Sequence, residues 1–188
     1  IDYVAVTGMI VGALPFVLYL KTLQGEWGVL FGDTQVQWFI TAVSLIIIVT
    51  AGWLWMERGS RIDEALRLAS FNIVSIITGT GYVTTDYGLW GAFATPIFFF
   101  IMFIGGCAGS TTCGIKIFRF QILGRFILNQ IKKLVYPHGV FSIKYNNEKI
   151  SNAFIYSIIT FIFIYFFIFF ILAALLSLDG LDFVTSLS

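Results

Sequence analysis

Charged residues are scarce in this chain of 188 residues. Asp, Glu, Lys and Arg make up 11% of the sequence, whereas 59% of it is hydrophobic and 18% is aromatic. A water-soluble domain of this size does not have that balance, because it would expose apolar surface that water rejects. The composition therefore excludes an ordinary soluble domain and indicates a protein that lies in a lipid bilayer.

Residues that commonly carry catalysis or bind metals are also few. The chain has one histidine, His138, in a polar loop, and two cysteines, Cys107 and Cys113, in or near an apolar run. Their spacing fits no compact metal site, and we interpret both cysteines as buried free thiols. No Ser/His/Asp set and no phosphate-binding glycine loop is present, so we expect neither an enzyme nor a cofactor. Nothing in the sequence predicts binding of nucleic acid.

Long uncharged runs, in contrast, are abundant. Residues 38–56, 88–115 and 150–178 form runs of 19, 28 and 29 residues without a charge. Each run is long enough to cross about 30 Å of hydrocarbon as a helix. A shorter apolar run covers residues 3–20. These runs predict an all-α transmembrane fold.

The distribution of charge sets the predicted orientation. Residues 116–149 contain seven basic side chains and one acidic side chain, which predicts a cytoplasmic loop. The segment 61–77 begins with charged residues and has only about ten mostly apolar ones, too few to span a bilayer. We interpret residues 61–87, a short helix followed by a loop, as a re-entrant segment whose two ends lie on the same, outer side of the membrane.

The re-entrant helix leads into a filter segment, residues 78–82, with the sequence Thr-Gly-Thr-Gly-Tyr. Non-helical backbone at membrane depth must be buried in protein or line an aqueous path. Main-chain carbonyls can replace the water around a potassium ion, and the pattern partly matches the potassium-channel sequence TVGYG. An ordinary Gly/Thr turn is the alternative. The candidate potassium-binding residues are Thr78, Gly79, Thr80, Gly81 and Tyr82.

A second glycine-rich stretch, the gate segment, occupies residues 105–114 within the uncharged run 88–115. It has four glycines, and each costs roughly 1 kcal/mol relative to alanine in a helix. The helix is therefore predicted to break there, and broken helices in transporters commonly line the path of the ion. Close helix packing and a flexible kink are alternatives. The candidate gate residues are Gly105, Gly106, Gly109, Ser110, Thr111 and Gly114.

Two basic residues, Lys116 and Arg119, follow the gate segment. We interpret them as contacts to lipid headgroups, because long basic side chains commonly extend towards the membrane surface. Contact with a gate or with a partner protein is the alternative.

Four stretches of sequence together resemble a known family. SIITGTGYVTTD at residues 75–86 and GGCAGSTTCGIK at 105–116 are similar to the TrkH branch of the Trk/Ktr/HKT potassium transporters, as are GALPFVLY at 12–19 and GDTQVQWF at 32–39. The resemblance implies repeated units of helix, re-entrant pore helix, filter loop and helix, four of them around one potassium-channel-like pore. Thr112 and Cys113 depart from the resemblance, since glycines are expected at both positions.

The resemblance also implies how the chain divides into repeats. With one filter of four, and Ile1 rather than Met at its start, the chain is expected to be a truncated fragment. Residues 1–20 would be the end of an outer-to-inner helix of repeat two, and residues 21–37 would be a cytoplasmic linker. Repeat three would cover residues 38–117, with a span at 38–56, a pore helix at about 62–77, the filter at 78–82 and a broken span at 91–117. A basic cytoplasmic loop at 118–149 would follow, and then the start of repeat four at 150–188, with a span at 150–178 and the beginning of a pore helix at 179–188.

The function that the resemblance implies is potassium uptake across a bacterial inner membrane, through the filter and past the gate segment. Family members are membrane-embedded homodimers that work with a cytoplasmic nucleotide-binding regulatory subunit of the TrkA type. A non-conducting structural membrane fragment and a sodium-conducting relative are the alternatives. Relatives with serine in place of a filter glycine tend towards sodium, so Gly81 favours potassium.

Overall fold

The computed structural model describes residues 1–137, 139, 141–146, 148–181 and 183–187. His138 therefore lies outside the described residues, as do single positions of the predicted ranges 118–149 and 179–188. The chain forms two compact units, Ile1–Phe118 and Arg119–Ser188. The helices are α1 Asp2–Gly12, α2 Phe16–Leu23, α3 Val29–Gly32, α4 Thr34–Arg58, α5 Ile62–Thr78, a 3-10 helix Tyr87–Trp90, α6 Ala94–Ile101, α7 Ile117–Val135, α8 Asn152–Leu178 and α9 Phe183–Leu187, and the strands are β1 Lys144–Tyr145 and β2 Glu148–Lys149.

Helix α4 is longer than the span predicted at residues 38–56. Asp33 caps its start, because one carboxylate oxygen accepts hydrogen bonds from the amides of Gln35 at 2.8 Å and Val36 at 3.3 Å. The helix ends at Gly59, which has the left-handed conformation typical of a helix terminus. Residues 34–37, three of which are polar, are thereby added to the apolar run.

The first apolar run, where the sequence predicts one helix at residues 1–20, contains two helices. It forms α1 and α2, which meet at an angle of 91°. Pro15 stands at the bend and explains it, since proline lacks a backbone donor and disfavours the helical conformation of the residue before it. The predicted linker 21–37 is mostly helical, because α2, α3 and the start of α4 occupy most of it.

Helix α5 is the buried centre of the first unit. It packs against α4 and α1, and ten of its 17 residues are buried, including Ile73 and Val74 at 0% exposure. Its polar start stays near the surface, where Arg67 forms an ion pair with Asp2 of α1 at 2.7 Å. A helix occupies Ile62–Thr78, where the sequence predicts one at about 62–77.

The uncharged run after α5 contains only one short α-helix. A 3-10 helix leads into α6, and Tyr87 and Trp90 of that 3-10 helix pack on Phe98 with ring centroids 4.4 and 5.6 Å apart. Residues 102–116, all of them described, contain no helix, and α7 begins at Ile117. The break in the predicted span 91–117 is therefore 15 residues long.

The second unit contains most of α7, the two-stranded hairpin, α8 and α9. The prediction of a basic loop at 118–149 is wrong for its first half, which is helical. Ile117, Gln121 and Ile122 are buried at helical spacing, and Lys132 and Lys133 lie in the last turn, where positive charge is favourable. The hairpin lies close to α7, since Arg125 donates to the carbonyl of Lys144.

Within the described ranges, two helices are long and apolar enough to cross a membrane, at Thr34–Glu57 and Asn152–Leu178, and the bent pair α1 and α2 would be a third if it is one span. Ser151 caps the start of α8 by accepting a hydrogen bond from the amide of Phe154 at 3.3 Å. Helix α9 follows, and Ser177 and Ser186 contact each other at 3.2 Å between their hydroxyl oxygens.

The cap of α4 can be tested by substitution. Replacing Asp33 with Ala removes the acceptor for two amides, so we expect the free energy of unfolding to fall by about 1 kcal/mol. Asp33→Asn keeps an oxygen acceptor and is the matched control. Thermal unfolding of the purified protein in detergent measures both, and equal stability of Asp33→Ala and Asp33→Asn would contradict the capping role.

Candidate functional site

The filter segment begins where α5 ends in a left-handed turn. Gly79 has φ +72°, a conformation that other residues avoid, and its amide donates to the carbonyl of Ile76 at 3.0 Å. The amide of Thr80 donates to the carbonyl of Ser75 at 2.9 Å. This pair of bonds is a Schellman motif, which satisfies carbonyls at the helix end. Thr78, predicted as the first filter residue, is thus the last residue of α5.

Two threonine hydroxyls connect the helix end to the filter segment. The Thr78 hydroxyl donates to the carbonyl of Val74 at 2.7 Å, and its oxygen lies 2.8 Å from the hydroxyl oxygen of Thr80. Because a hydroxyl has only one proton, the Thr80 hydroxyl is the donor in the second bond. The first two threonines of the segment are therefore held in one orientation.

The carbonyl oxygens of the filter segment accept no hydrogen bond within the described part of the chain. Residues 79–84 are exposed, and the Tyr82 side chain is 67% exposed. The carboxyl end of α5, which carries a partial negative charge, lies directly before these carbonyls. The arrangement can present backbone oxygens to a cation on one side of the segment.

Asn72, which the sequence analysis missed, fixes the far end of this loop. Its side chain is 1% exposed; the amide nitrogen donates to Leu68 and to the Thr84 hydroxyl, and the amide oxygen accepts from the Thr84 backbone amide. The distances to Thr84 are 3.0 and 3.3 Å. An amide side chain within an otherwise apolar helical run was the signal available in the sequence.

The gate segment lies in a loop that two glycines close tightly. Ile104 and Ile115 form a parallel bridge, in which the Gly105 amide donates to the carbonyl of Ile115 at 2.9 Å. A Cβ on Gly105 would lie 2.2 Å from the Cys113 carbonyl oxygen, and one on Gly106 would lie 2.8 Å from the Ala13 carbonyl oxygen. Larger residues would therefore force the loop apart. The gate segment's remaining glycines, Gly109 and Gly114, have φ of +74° and +78°.

The bend between α1 and α2 holds the gate segment through backbone hydrogen bonds. The carbonyl of Gly12 accepts from the Thr111 hydroxyl at 3.0 Å and from its amide at 3.3 Å. The Cys107 amide donates to Ala13, and the Phe16 amide donates to the carbonyl of Gly109, both at 3.0 Å. The bend and the gate segment thereby supply each other with hydrogen-bond partners for their main-chain groups. The sequence analysis missed this role, although Pro15 marked the position.

Gln35 adds a further contact to the gate segment. Its side-chain oxygen accepts a hydrogen bond from the Ala108 amide at 2.9 Å. The residue lies in the first turn of α4, directly after its cap. The start of α4 is thus connected to the same loop as the bend.

The filter and gate segments are in contact. A Cβ on Gly79 would lie 3.3 Å from the Cβ and 3.5 Å from the backbone nitrogen of Cys113. A larger residue at position 79 would therefore press on the gate segment. The two glycine-rich segments, separated by more than 20 residues in sequence, form one site. Cys107 is buried, whereas Cys113 is exposed, so the prediction of a buried thiol is wrong for Cys113.

Lys116 contacts the gate segment, so the interpretation of a lipid-headgroup contact does not describe it. Its ammonium donates to the Thr112 hydroxyl at 3.0 Å, to the Ser110 carbonyl at 3.4 Å and to the Thr112 carbonyl. Arg119 has another contact, since its guanidinium lies 3.5 Å from the centre of the Phe161 ring in its own unit.

Comparison with known proteins identifies the family. A model of the TrkH family of cation transport proteins matches residues 1–188. The chain belongs to this family. The predicted family is therefore confirmed, and it is a family of membrane transporters rather than of enzymes.

Two individual proteins have sequences similar to this chain over nearly its whole length. The Trk system potassium uptake protein TrkI of Halomonas elongata is 41% identical over 180 residues, 96% of this chain and 36% of that protein. TrkG of Escherichia coli is 29% identical over 187 residues, 99% of this chain and 39% of that protein. The chain thus spans little more than a third of the length of these relatives.

The fold also matches a solved TrkH-family structure. The crystal structure of the potassium transporter TrkH from Vibrio parahaemolyticus covers 100% of this chain with a TM-score of 0.94 and 26% identity, and the chain covers 41% of it. The all-α transmembrane fold class is confirmed.

The contact between Asn72 and Thr84 can be tested by a double-mutant cycle. Asn72→Leu and Thr84→Val should each lower the free energy of unfolding by about 1 kcal/mol, because each removes buried hydrogen bonds. The double variant should lose less than the sum, by about 0.5 kcal/mol or more.

Thr85→Val is the matched control for this cycle. The Thr85 hydroxyl is buried without a hydrogen-bond partner among the described residues, so its removal should cost little. Thermal unfolding in detergent gives all four values. Strict additivity of Asn72→Leu and Thr84→Val would exclude the contact.

Proposed function

We propose that the full-length protein carrying this sequence takes up potassium across a bacterial inner membrane, as a multi-pass protein. The TrkI and TrkG relatives are named potassium uptake proteins and come from bacteria. The long apolar helices Thr34–Glu57 and Asn152–Leu178 suit such a location. Potassium is the transported ion, and no cofactor is part of the proposal.

The filter segment would provide one wall of the selectivity filter. The observation that carries this assignment is the set of carbonyls from Thr78 to Tyr82 that no described residue engages. At membrane depth such oxygens need a partner, and a partly dehydrated cation is one. The end of α5 adds negative potential where the cation would lie.

The gate segment would open and close the path next to the filter. Its contact with Gly79 supports this assignment, because the segment lies where it can occlude an ion leaving the filter. Its long non-helical stretch, residues 102–116, supplies a part of the chain that can change conformation without unwinding a helix.

A single filter segment cannot surround an ion, so the proposal includes the repeats. The helix, re-entrant helix, loop and broken span of residues 34–117 would be repeat three, α1 and α2 would end repeat two, and α8 and α9 would begin repeat four. The exposure of residues 79–84 supports this, since the other filters would cover that side. By family resemblance, the protein is a homodimer that binds a TrkA-type nucleotide-binding subunit on the cytoplasmic side.

Substitution of Gly81 tests the filter assignment. Gly81 has φ +77° and no atom within 4 Å of a built Cβ, and Gly59 at the end of α4 has φ +62° and equally open surroundings. Serine should therefore cost a similar backbone strain of about 1 kcal/mol at either position. We expect Gly81→Ser to lower the selectivity for potassium over sodium about tenfold, equivalent to about 1.4 kcal/mol, and Gly59→Ser to leave it unchanged.

Growth of a potassium-uptake-deficient bacterium with the full-length gene, followed by flux measurements in both salts, provides the readout. Unchanged selectivity for potassium over sodium in Gly81→Ser would contradict the filter assignment. Absence of potassium uptake by the wild type would instead contradict the proposed function itself.

A further inference from the structure

Thr112 lies where the family resemblance leads one to expect a glycine, and it is central to the gate segment. The residue is 6% exposed. Its hydroxyl oxygen lies 2.9 Å from the Gly106 amide nitrogen, 3.0 Å from the Lys116 ammonium and 2.9 Å from the Ser110 hydroxyl oxygen. A glycine at this position could make none of these three contacts.

The donors in this network can be assigned from the chemistry of its groups. An amide and an ammonium can only donate, so the Thr112 oxygen accepts from both Gly106 and Lys116. Ser110 donates its single proton to the carbonyl of Cys107, at 2.6 Å. Thr112 must therefore donate to Ser110, and its one proton and both acceptor positions are occupied.

The network joins parts of the loop that are far apart along it. Gly106 lies beside the bend between α1 and α2, Lys116 directly precedes α7, and Cys113, next to Thr112, contacts Gly79 of the filter segment. Lys116 also brings its positive charge to the carbonyls of Ser110 and Thr112. The hydrogen bonds of Thr112 and Lys116 thus hold residues 106–116 in one conformation, in which Cys113 lies against Gly79.

We propose that Thr112 and Lys116 form a latch that stabilises the gate segment in this conformation, which obstructs the ion path. Thr112 is a positioning residue and does not contact the ion. The inference rests on the proposed function, and it goes beyond it by assigning the gating equilibrium to two side chains. A chain with glycine at position 112 would keep the loop but lose the latch.

The first experiment measures flux through the full-length protein. Rubidium uptake into proteoliposomes is compared among wild type, Thr112→Val, Thr112→Gly and Lys116→Met. Each variant removes hydrogen bonds that hold one of two gate conformations, so we expect flux to rise about tenfold. Thr112→Ser keeps the hydroxyl and should restore wild-type flux.

A gain of flux separates the latch from a merely structural role, because a misfolded variant conducts less. Selectivity for potassium over sodium should stay unchanged in Thr112→Val. The double variant Thr112→Val with Lys116→Met should resemble either single variant, since both break the same network. Fully multiplicative effects of the two substitutions would overturn the latch, as would lower flux in Thr112→Gly.

A second readout does not depend on conduction. In this chain Cys113 is exposed beside Thr112, whereas Cys107 is buried, and we expect a maleimide to modify Cys113 faster than Cys107 in the folded full-length protein. Mass spectrometry of the labelled peptide gives its rate. We expect Thr112→Val to change this rate about tenfold and Thr112→Ser to leave it as in the wild type.

The two readouts distinguish the possible failures. If the wild type does not take up potassium, the proposed function is wrong, while the alkylation rates still test the latch. If Thr112→Val and Thr112→Ser behave alike in both flux and alkylation, the latch is wrong.

Discussion

Backbone that leaves the helical conformation inside a bilayer needs hydrogen-bond partners from the protein itself, and the first unit is organised around this constraint. Its two irregular segments are satisfied from different sources. The filter segment uses the end of α5 and the side chain of Asn72. The gate segment uses the bend between α1 and α2, together with the side chain of Gln35. The carbonyls of residues 78–82 accept no hydrogen bond from any residue that the structure describes, and they coincide with the proposed ion site.

The sequence predicted those features that depend on composition and on local conformational preference. The uncharged runs, the helix before the filter segment and the break at the glycines follow from hydrophobicity, length and the helix-breaking tendency of glycine. The resemblance of four sequence stretches to TrkH-type proteins identified the family. These signals are local, and each can be read from a single stretch of residues.

Features that depend on contacts between distant residues could not be predicted in this way. No pattern near Lys116 shows that its ammonium turns back to Ser110 and Thr112 rather than towards lipid. The contact of Gly79 with Cys113 joins residues whose separation carries no periodic signal. The first half of residues 118–149 differs, since it carries a local helical signal in the spacing of its apolar residues, while its basic residues fit a cytoplasmic loop equally well.

The bend at Pro15 has a mechanical consequence. Four hydrogen bonds join Gly12, Ala13 and Phe16 to the gate segment, so a displacement of α1 or α2 must either carry the loop along or break these bonds. The two helices therefore act as a lever on the loop. Forces applied far from the filter segment, by lipid or by a neighbouring helix, therefore have a direct route to the loop that we propose as the gate.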